Sequence, residues 1–158
     1  MSLLATSATY DIVDSKLKLF SSSGQQLLTM SPMVPVEMEG TEWKLRFINA
    51  ETQWEELIPG TEVTFALAGN EISGNSGCNE YRGETTITKA GYIELSAFTV
   101  TNGVCEDPEG VMNQEQLYLE TLTQTGLMRY FPASFELLDP DGRPLLFYNA
   151  DWKADMKQ

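Results

Sequence analysis

Apolar and polar positions alternate along most of the chain, and this period of two predicts strands. Tyr10-Asp11-Ile12-Val13 is a short apolar run, and Leu17 and Leu19 alternate with Lys16 and Lys18. Ser21-Ser22-Ser23-Gly24 is turn material, and Leu27-Leu28-Thr29-Met30 follows it. Further on, Trp43, Leu45 and Phe47 alternate with Lys44 and Arg46, and Val63, Phe65 and Leu67 with Thr64 and Ala66. Tyr81, Gly83, Thr85 and Ile87 share one face, and Ile93, Leu95 and Ala97 continue the pattern. The runs at 127–131, 135–138 and 145–148 close the series, the last two joined by Asp139-Pro140-Asp141-Gly142.

The period changes to that of a helix only once. Asp107 suits an N-cap, Pro108 the first helical position, and Glu109 the positive end of the dipole. Met112, Leu119 and Leu122 fall on one stripe with Val111 and Tyr118 beside them, and Gly126 suits a left-handed C-terminal cap. The spacing predicts one helix over about residues 108–125. The fold class expected is therefore α+β, mainly an antiparallel curved sheet with one helix.

Pro32 and Pro35 cannot both sit in a central strand, so residues 32–37 read as an extended linker. The expected organisation is residues 8–31, that linker, a domain over 38–150, and a polar tail over 151–158. A shift of 118 residues lays Tyr10 to Met30 over Met128 to Tyr148, with nine apolar positions coinciding and Gly24 on Gly142. Two hairpins with similar turns account for this, or residues 8–31 are the closing strands of a preceding repeat whose front half is missing from this chain.

Composition narrows the chemistry. A length of 158 residues suits one domain, or one domain with an appendage. A net charge of −13 leaves no basic excess to neutralise phosphates or to dock on an anionic membrane, so no nucleic-acid partner is expected. With no histidine, the Ser-His-Asp and Cys-His nucleophile systems and imidazole zinc sites are excluded. No stretch has the roughly 18–20 apolar residues of a membrane span. No signal peptide is visible, and a natural leader is expected to be missing from this chain.

The least ordinary local sequence is Ser73-Gly74-Asn75-Ser76-Gly77-Cys78-Asn79. It lacks the spacing of a phosphate loop, so Gly74 and Gly77 read as a strand kink or bulge, with Asn75 and Asn79 bonding local backbone. Cys78 and Cys105 are the only thiols. In a reducing compartment they are two small buried hydrophobes; in an oxidising one they pair. Acidic clusters at Glu55-Glu56, Glu106-Asp107-Pro108-Glu109 and Asp139/Asp141 read as surface, helix start and turn rather than as catalytic or calcium sites. No catalytic, cofactor or metal residues are assigned. Trp43, Trp54 and Trp152 read as core or rim, with Trp54 a candidate exposed aromatic.

Five segments together resemble one family. Gly40-Thr41-Glu42-Trp43-Lys44-Leu45 resembles the opening of META (HslJ-like) domains, and Ile72 to Gly83, including Gly74, Asn75, Gly77, Cys78, Asn79 and Tyr81, resembles their glycine-rich core. Thr101 to Cys105 stands where members carry a short motif ending in cysteine. Met112 to Leu119, with Tyr118, resembles their helix, and Leu137 to Phe147, with Gly142, their closing strands. Thr101-Asn102-Gly103 departs from the family's usual form, and Trp54 to Pro59 has no counterpart.

The resemblance implies a barrel-like or strongly curved antiparallel sheet with one helix. It also implies a bacterial protein, often exported or lipid-anchored, linked to stress tolerance, secretion, motility or virulence, with no reaction assigned. The reading that follows is a non-catalytic, extracytoplasmic binding or structural module of stress-response type, whose motif residues build the fold. The alternatives are a carrier holding a small apolar ligand or lipid in a cavity left by Ala66, Ala97 and Gly83, and a protease-inhibitor-like module presenting a loop at 54–59 or 106–110. Cys78 and Cys105 are expected to meet where the kinked strand reaches the turn before the helix, and to be oxidised. The partners expected are an unknown protein or small apolar ligand, a second copy through residues 8–31, and the envelope through the missing leader. The localisation expected is periplasmic, outer-membrane-associated or secreted.

Overall fold

A computed structural model describes residues 7–32, 34–50 and 53–150 of the chain. The chain divides into two compact units, residues 1–34 and 35–158. The first is a three-stranded antiparallel sheet of β1 (Thr9–Val13), β2 (Lys16–Phe20) and β3 (Gln26–Met30) in sequence order. The tail expected over 151–158, with Trp152, lies outside the described residues.

The second unit holds nine strands and one helix among its described residues. They are β4 (Glu42–Ala50), β5 (Gln53–Glu56), β6 (Thr64–Ala68), β7 (Glu71–Asn75), β8 (Glu80–Ile87), β9 (Ile93–Val100), α1 (Val111–Thr123), β10 (Leu127–Phe131), β11 (Ser134–Leu138) and β12 (Pro144–Ala150). The sheet order is β10-β11-β12-β4-β6-β7-β8-β9, every strand pair is antiparallel, and β5 pairs with the far half of β4. The two ends of this order meet: the Ile93 N–H donates to Gly126 O at 3.1 Å and the Met128 N–H to Gly91 O at 2.7 Å. The sheet is thus curled into a half-barrel with the helix against its concave side.

The core follows from the alternation. Along β8 every second residue is buried from Tyr81 to Thr85, and along β11 Phe135 and Leu137 are fully buried. Trp43, Phe65, Ile72, Tyr118, Leu122, Leu146 and Tyr148 complete a filled interior. Phe135 stacks on Tyr148 with ring centroids 4.5 Å apart, and the Trp43 ring meets Phe135 edge-on at 5.2 Å.

The helix departs from the expected bounds at both ends. Its N-cap is Gly110 at φ 87°, which has no side chain to cap with, and Val111 after it is buried; Asp107 and Pro108 precede the helix rather than begin it. Its C-cap is Gln124 in right-handed geometry, so Gly126 is not the left-handed cap. Gly126 instead packs on Pro140, whose ring a side chain there would strike. The buried face is Val111, Gln114, Glu115, Tyr118, Thr121 and Leu122. Met112 and Leu119 lie at its margins, so the inward stripe is rotated toward two polar residues that the hydropathy pattern discounts. Trp54 lies in strand β5 rather than in a free loop. It is 44% exposed and meets Phe47 edge-on at 6.3 Å.

Candidate functional site

The polar groups of the second unit converge where the glycine-rich segment passes under α1. β7 runs so close to β6 that a side chain at Gly74 would run into the Thr64 carbonyl and the Tyr81 ring. That approach lets the Asn75 N–H donate to Thr64 Oγ1 at 3.0 Å and leaves the Thr64 carbonyl to accept the Tyr81 hydroxyl at 2.8 Å. The chain then turns. Asn75 Oδ1 accepts the Gly77 N–H at 2.7 Å, and Gly77 takes φ 119°, a conformation open to glycine.

The turn aims a group of donors at one carboxylate. Glu115 is 5% exposed, and its Oε2 accepts the backbone N–H groups of Asn79 at 2.7 Å and of Cys78 at 3.1 Å. Its Oε1 accepts Asn79 Nδ2 at 2.7 Å. Ser76 Oγ lies 2.6 Å from Oε2 and 2.7 Å from the Asn79 carbonyl. Its single proton goes to the carboxylate, because that carbonyl already accepts the Ser76 N–H and the charged acceptor is the stronger. Burial pushes the Glu115 carboxyl up, but the Ser76, Asn79 and Cys78 donors outweigh it and hold it below its ordinary value.

Asn79 carries the network onward. Its Oδ1 accepts the Gly103 N–H at 2.6 Å and the Thr101 hydroxyl at 2.7 Å, and its Nδ2 also donates to the Gly103 carbonyl at 2.9 Å. This fixes the segment after β9 beside the turn, and there Cys78 and Cys105 form a disulfide with Cα atoms 5.9 Å apart. The neighbouring helix position acts in the same way on another loop. Gln114 Oε1 accepts the Ile58 N–H at 2.6 Å, and Nε2 donates to Thr61 Oγ1 at 2.9 Å.

A second polar element lies deeper. Tyr148 donates to the Tyr118 hydroxyl at 3.1 Å, Tyr118 and Tyr81 are 2.8 Å apart, and Tyr81 ends on the Thr64 carbonyl. Each hydroxyl then donates once, in the order Tyr148, Tyr118, Tyr81, backbone. Burial, with the neighbouring phenols, raises all three well above the ordinary tyrosine range, so they are neutral donors and not bases.

Of the motif residues read from the sequence, Gly74, Asn75, Gly77, Cys78, Asn79, Tyr81, Cys105 and Tyr118 come together here. Trp43 sits in the core, its indole N–H donating to the Met38 carbonyl at 3.1 Å. Leu119 flanks the helix seat, and Gly142 forms the β11–β12 turn at φ 86°. Gly83 faces Phe98, whose ring fills the space its missing side chain leaves. The sequence reading assigns no site role to Glu115, Gln114, Ser76, Thr64 or Tyr148. One signal pointed to Glu115 and Gln114: both lie on the helical stripe through Val111, Tyr118 and Leu122, where a charged residue needs a partner.

Chemically the cluster is a lock. Glu115 Oε2 accepts three protein donors and Oε1 one, and all four come from the turn that the carboxylate holds. Among the described residues no buried side-chain polar atom lacks a partner, and no group of acidic residues or cysteines is placed to hold a metal ion. No helix among them is long and apolar enough to cross a membrane.

A family model described as the META domain matches residues 36–152. A protein from Burkholderia xenovorans solved by NMR is similar at 22% identity, covering 78% of this chain and 93% of its own, with a TM-score of 0.57. A second NMR structure is similar at 17% identity over 77% of this chain and 95% of its own, with a TM-score of 0.55. A crystal structure of a DUF4847 family protein from Bacteroides vulgatus shares 11% identity over 71% and 93%, with a TM-score of 0.51. At these identities the likeness is one of fold. No curated protein matches the chain.

Proposed function

The chain belongs to the META domain family, and from that premise we propose that it is a non-catalytic binding or structural module of stress-response type working outside the cytoplasm. The observation that carries this reading is the joint use of Glu115 and the Cys78–Cys105 disulfide to hold the glycine-rich turn. The disulfide suits an oxidising compartment, such as the periplasm or the cell exterior. The richest concentration of polar groups is consumed in fixing the backbone, which leaves the surface rather than a reactive centre to meet a partner.

Between the two partner classes, packing favours a protein over a small apolar ligand held between helix and sheet. The space at Gly83 is filled by Phe98, which stacks on Tyr81 with centroids 5.4 Å apart, and Tyr118 and Leu122 of the helix are fully buried. An inhibitor-like loop at 54–59 is also disfavoured, because Gln53–Glu56 is a paired strand and Ile58 is bonded to the helix.

The test is native mass spectrometry of the protein purified from its natural compartment, with thiol labelling before and after reduction. A co-purifying protein with both cysteines unlabelled until reduction supports the reading. A bound apolar molecule in stoichiometric amount, or free thiols in freshly isolated protein, would overturn it.

A further inference from the structure

We infer that residues 8–31 are a structural duplicate of β10–β12 and that their apolar face packs against the same face of a second copy of this chain. The correspondence holds pair by pair at one offset. Thr9↔Phe20, Tyr10↔Leu19 and Ile12↔Leu17 correspond to Leu127↔Leu138, Met128↔Leu137 and Tyr130↔Phe135. Leu17↔Met30 and Leu19↔Leu28 correspond to Phe135↔Tyr148 and Leu137↔Leu146.

Even the irregularities coincide. The register slips between Leu19 and Phe20 in one hairpin and between Leu137 and Leu138 in the other. Gly24 and Gly142 take φ 81° and 86°, and their N–H groups donate to Ser21 O and Asp139 O, each at 3.0 Å. Ser21 Oγ accepts the Gln25 N–H as Asp139 Oδ1 accepts the Arg143 N–H. Generic hairpins share a turn type, not a bulge, a register and a side-chain-capped turn at a constant spacing.

The duplicate has kept the inward face. Directly paired residues share a side of the sheet, so Tyr10, Ile12, Leu17, Leu19, Leu28 and Met30 form one apolar face. Phe135, Leu137, Leu146 and Tyr148 are fully buried, whereas their counterparts Leu17, Leu19 and Leu28 are half-buried and Met30 is 39% exposed; Tyr10 and Ile12 are 71% and 65% exposed, where Met128 is half-buried and Tyr130 39% exposed. The other face is the more polar one: Asp11 pairs with Lys18, Lys18 with Thr29, Lys16 with Val13, and Phe20 with Thr9 and Gln26.

Charge selects the occupant. Asp11 and Asp14 offset Lys16 and Lys18, so residues 1–34 are neutral and the whole −13 falls on residues 35–158. Two copies repel each other everywhere except through this sheet, and its apolar face is identical on both, as a two-fold contact requires. Edge-to-edge pairing would leave the face in water, so the sheets stack face to face.

Sedimentation equilibrium of the full chain, with Ile12→Asp and Thr9→Asp variants, tests this. The expected result is a dimer at micromolar concentration, weakened at least about tenfold by Ile12→Asp, a charge on the apolar face, and unaffected by Thr9→Asp on the polar face. Ile12 is exposed, so the variant does not threaten folding. A chain that is monomeric at high micromolar concentration overturns the inference, and so does a dimer that tolerates Ile12→Asp or is dissociated equally by Thr9→Asp.

Discussion

Asn79 holds Glu115 through both of its nitrogens: the backbone N–H donates to Oε2 and Nδ2 to Oε1, each at 2.7 Å. One residue of the turn is thereby clamped to the middle of the helix, 36 positions away in sequence. Replacing Glu115 by Gln puts a donor amide where three donors converge on Oε2. The expected cost is about 3 kcal/mol, from lost charge-assisted bonds and stranded N–H groups. Denaturant unfolding of the variant checks it.

The same clamp makes stability depend on acid. The Glu115 carboxyl is held below its ordinary value of 4.5, so the folded chain binds this proton less readily than the unfolded one. Its contribution is complete above that value and is lost as pH falls through the lower folded value. Unfolding free energy followed downward from neutral pH should fall more steeply for the natural chain than for Glu115→Gln. Parallel curves would show that the carboxylate is not the group responsible.

Gly74→Ala places a methyl group against the Thr64 carbonyl and within 2.9 Å of the Tyr81 ring. Two paired strands must separate to admit it, with an expected cost of about 3 kcal/mol or more. At Gly24, where nothing lies within 4 Å, the same substitution meets only the strain of φ 81° and should cost about 1 kcal/mol. Comparing the midpoints of the two variants separates close approach from backbone conformation.

Reduction should loosen the turn without unfolding the sheet. The Cys78–Cys105 bridge spans 27 positions, and removing it by Cys105→Ser is expected to cost about 3–4 kcal/mol by the chain-entropy account. Hydrogen exchange should rise first at Cys78, Asn79 and Gly103, with the amides of β11 and β12 still protected.

The buried tyrosines predict the alkaline limit. Tyr81, Tyr118 and Tyr148 are raised well above 10.0 in the folded chain, so their contribution is present below that value and is lost as pH rises through the folded values. Tyrosinate absorbance should therefore show a late phase that coincides with loss of the sheet's circular dichroism. Tyr118→Phe breaks the relay and should cost about 1–3 kcal/mol. A late phase well before unfolding would contradict the relay.

Much of this architecture is local information. Alternation at Trp43, Leu45 and at Tyr81, Gly83, Thr85 marks strands because side chains in a strand point to opposite faces every second residue. The stripe through Tyr118 and Leu122 marks the helix because it repeats every 3.6 residues. Asp139 and Gly142 define their turn within a few bonds. The match of residues 8–31 to the closing strands could also be read from the chain, since the same face must be apolar in both.

Only the tertiary structure decided the rest. Met112 and Leu119 out-rank Gln114 and Glu115 on any hydropathy scale, yet the polar pair faces inward. Folding brings the N–H groups of Cys78 and Asn79 and the hydroxyl of Ser76 to Glu115, and these hydrogen bonds offset the cost of burying the carboxylate. Likewise, nothing near Gly74 in sequence reveals the Thr64 carbonyl that makes a side chain impossible there. Periodicity reports which side of an element is apolar, because that is a property of neighbours along the chain. Which polar groups are satisfied is a property of neighbours in space, and it exists only once the sheet has curled and brought the turn under the helix.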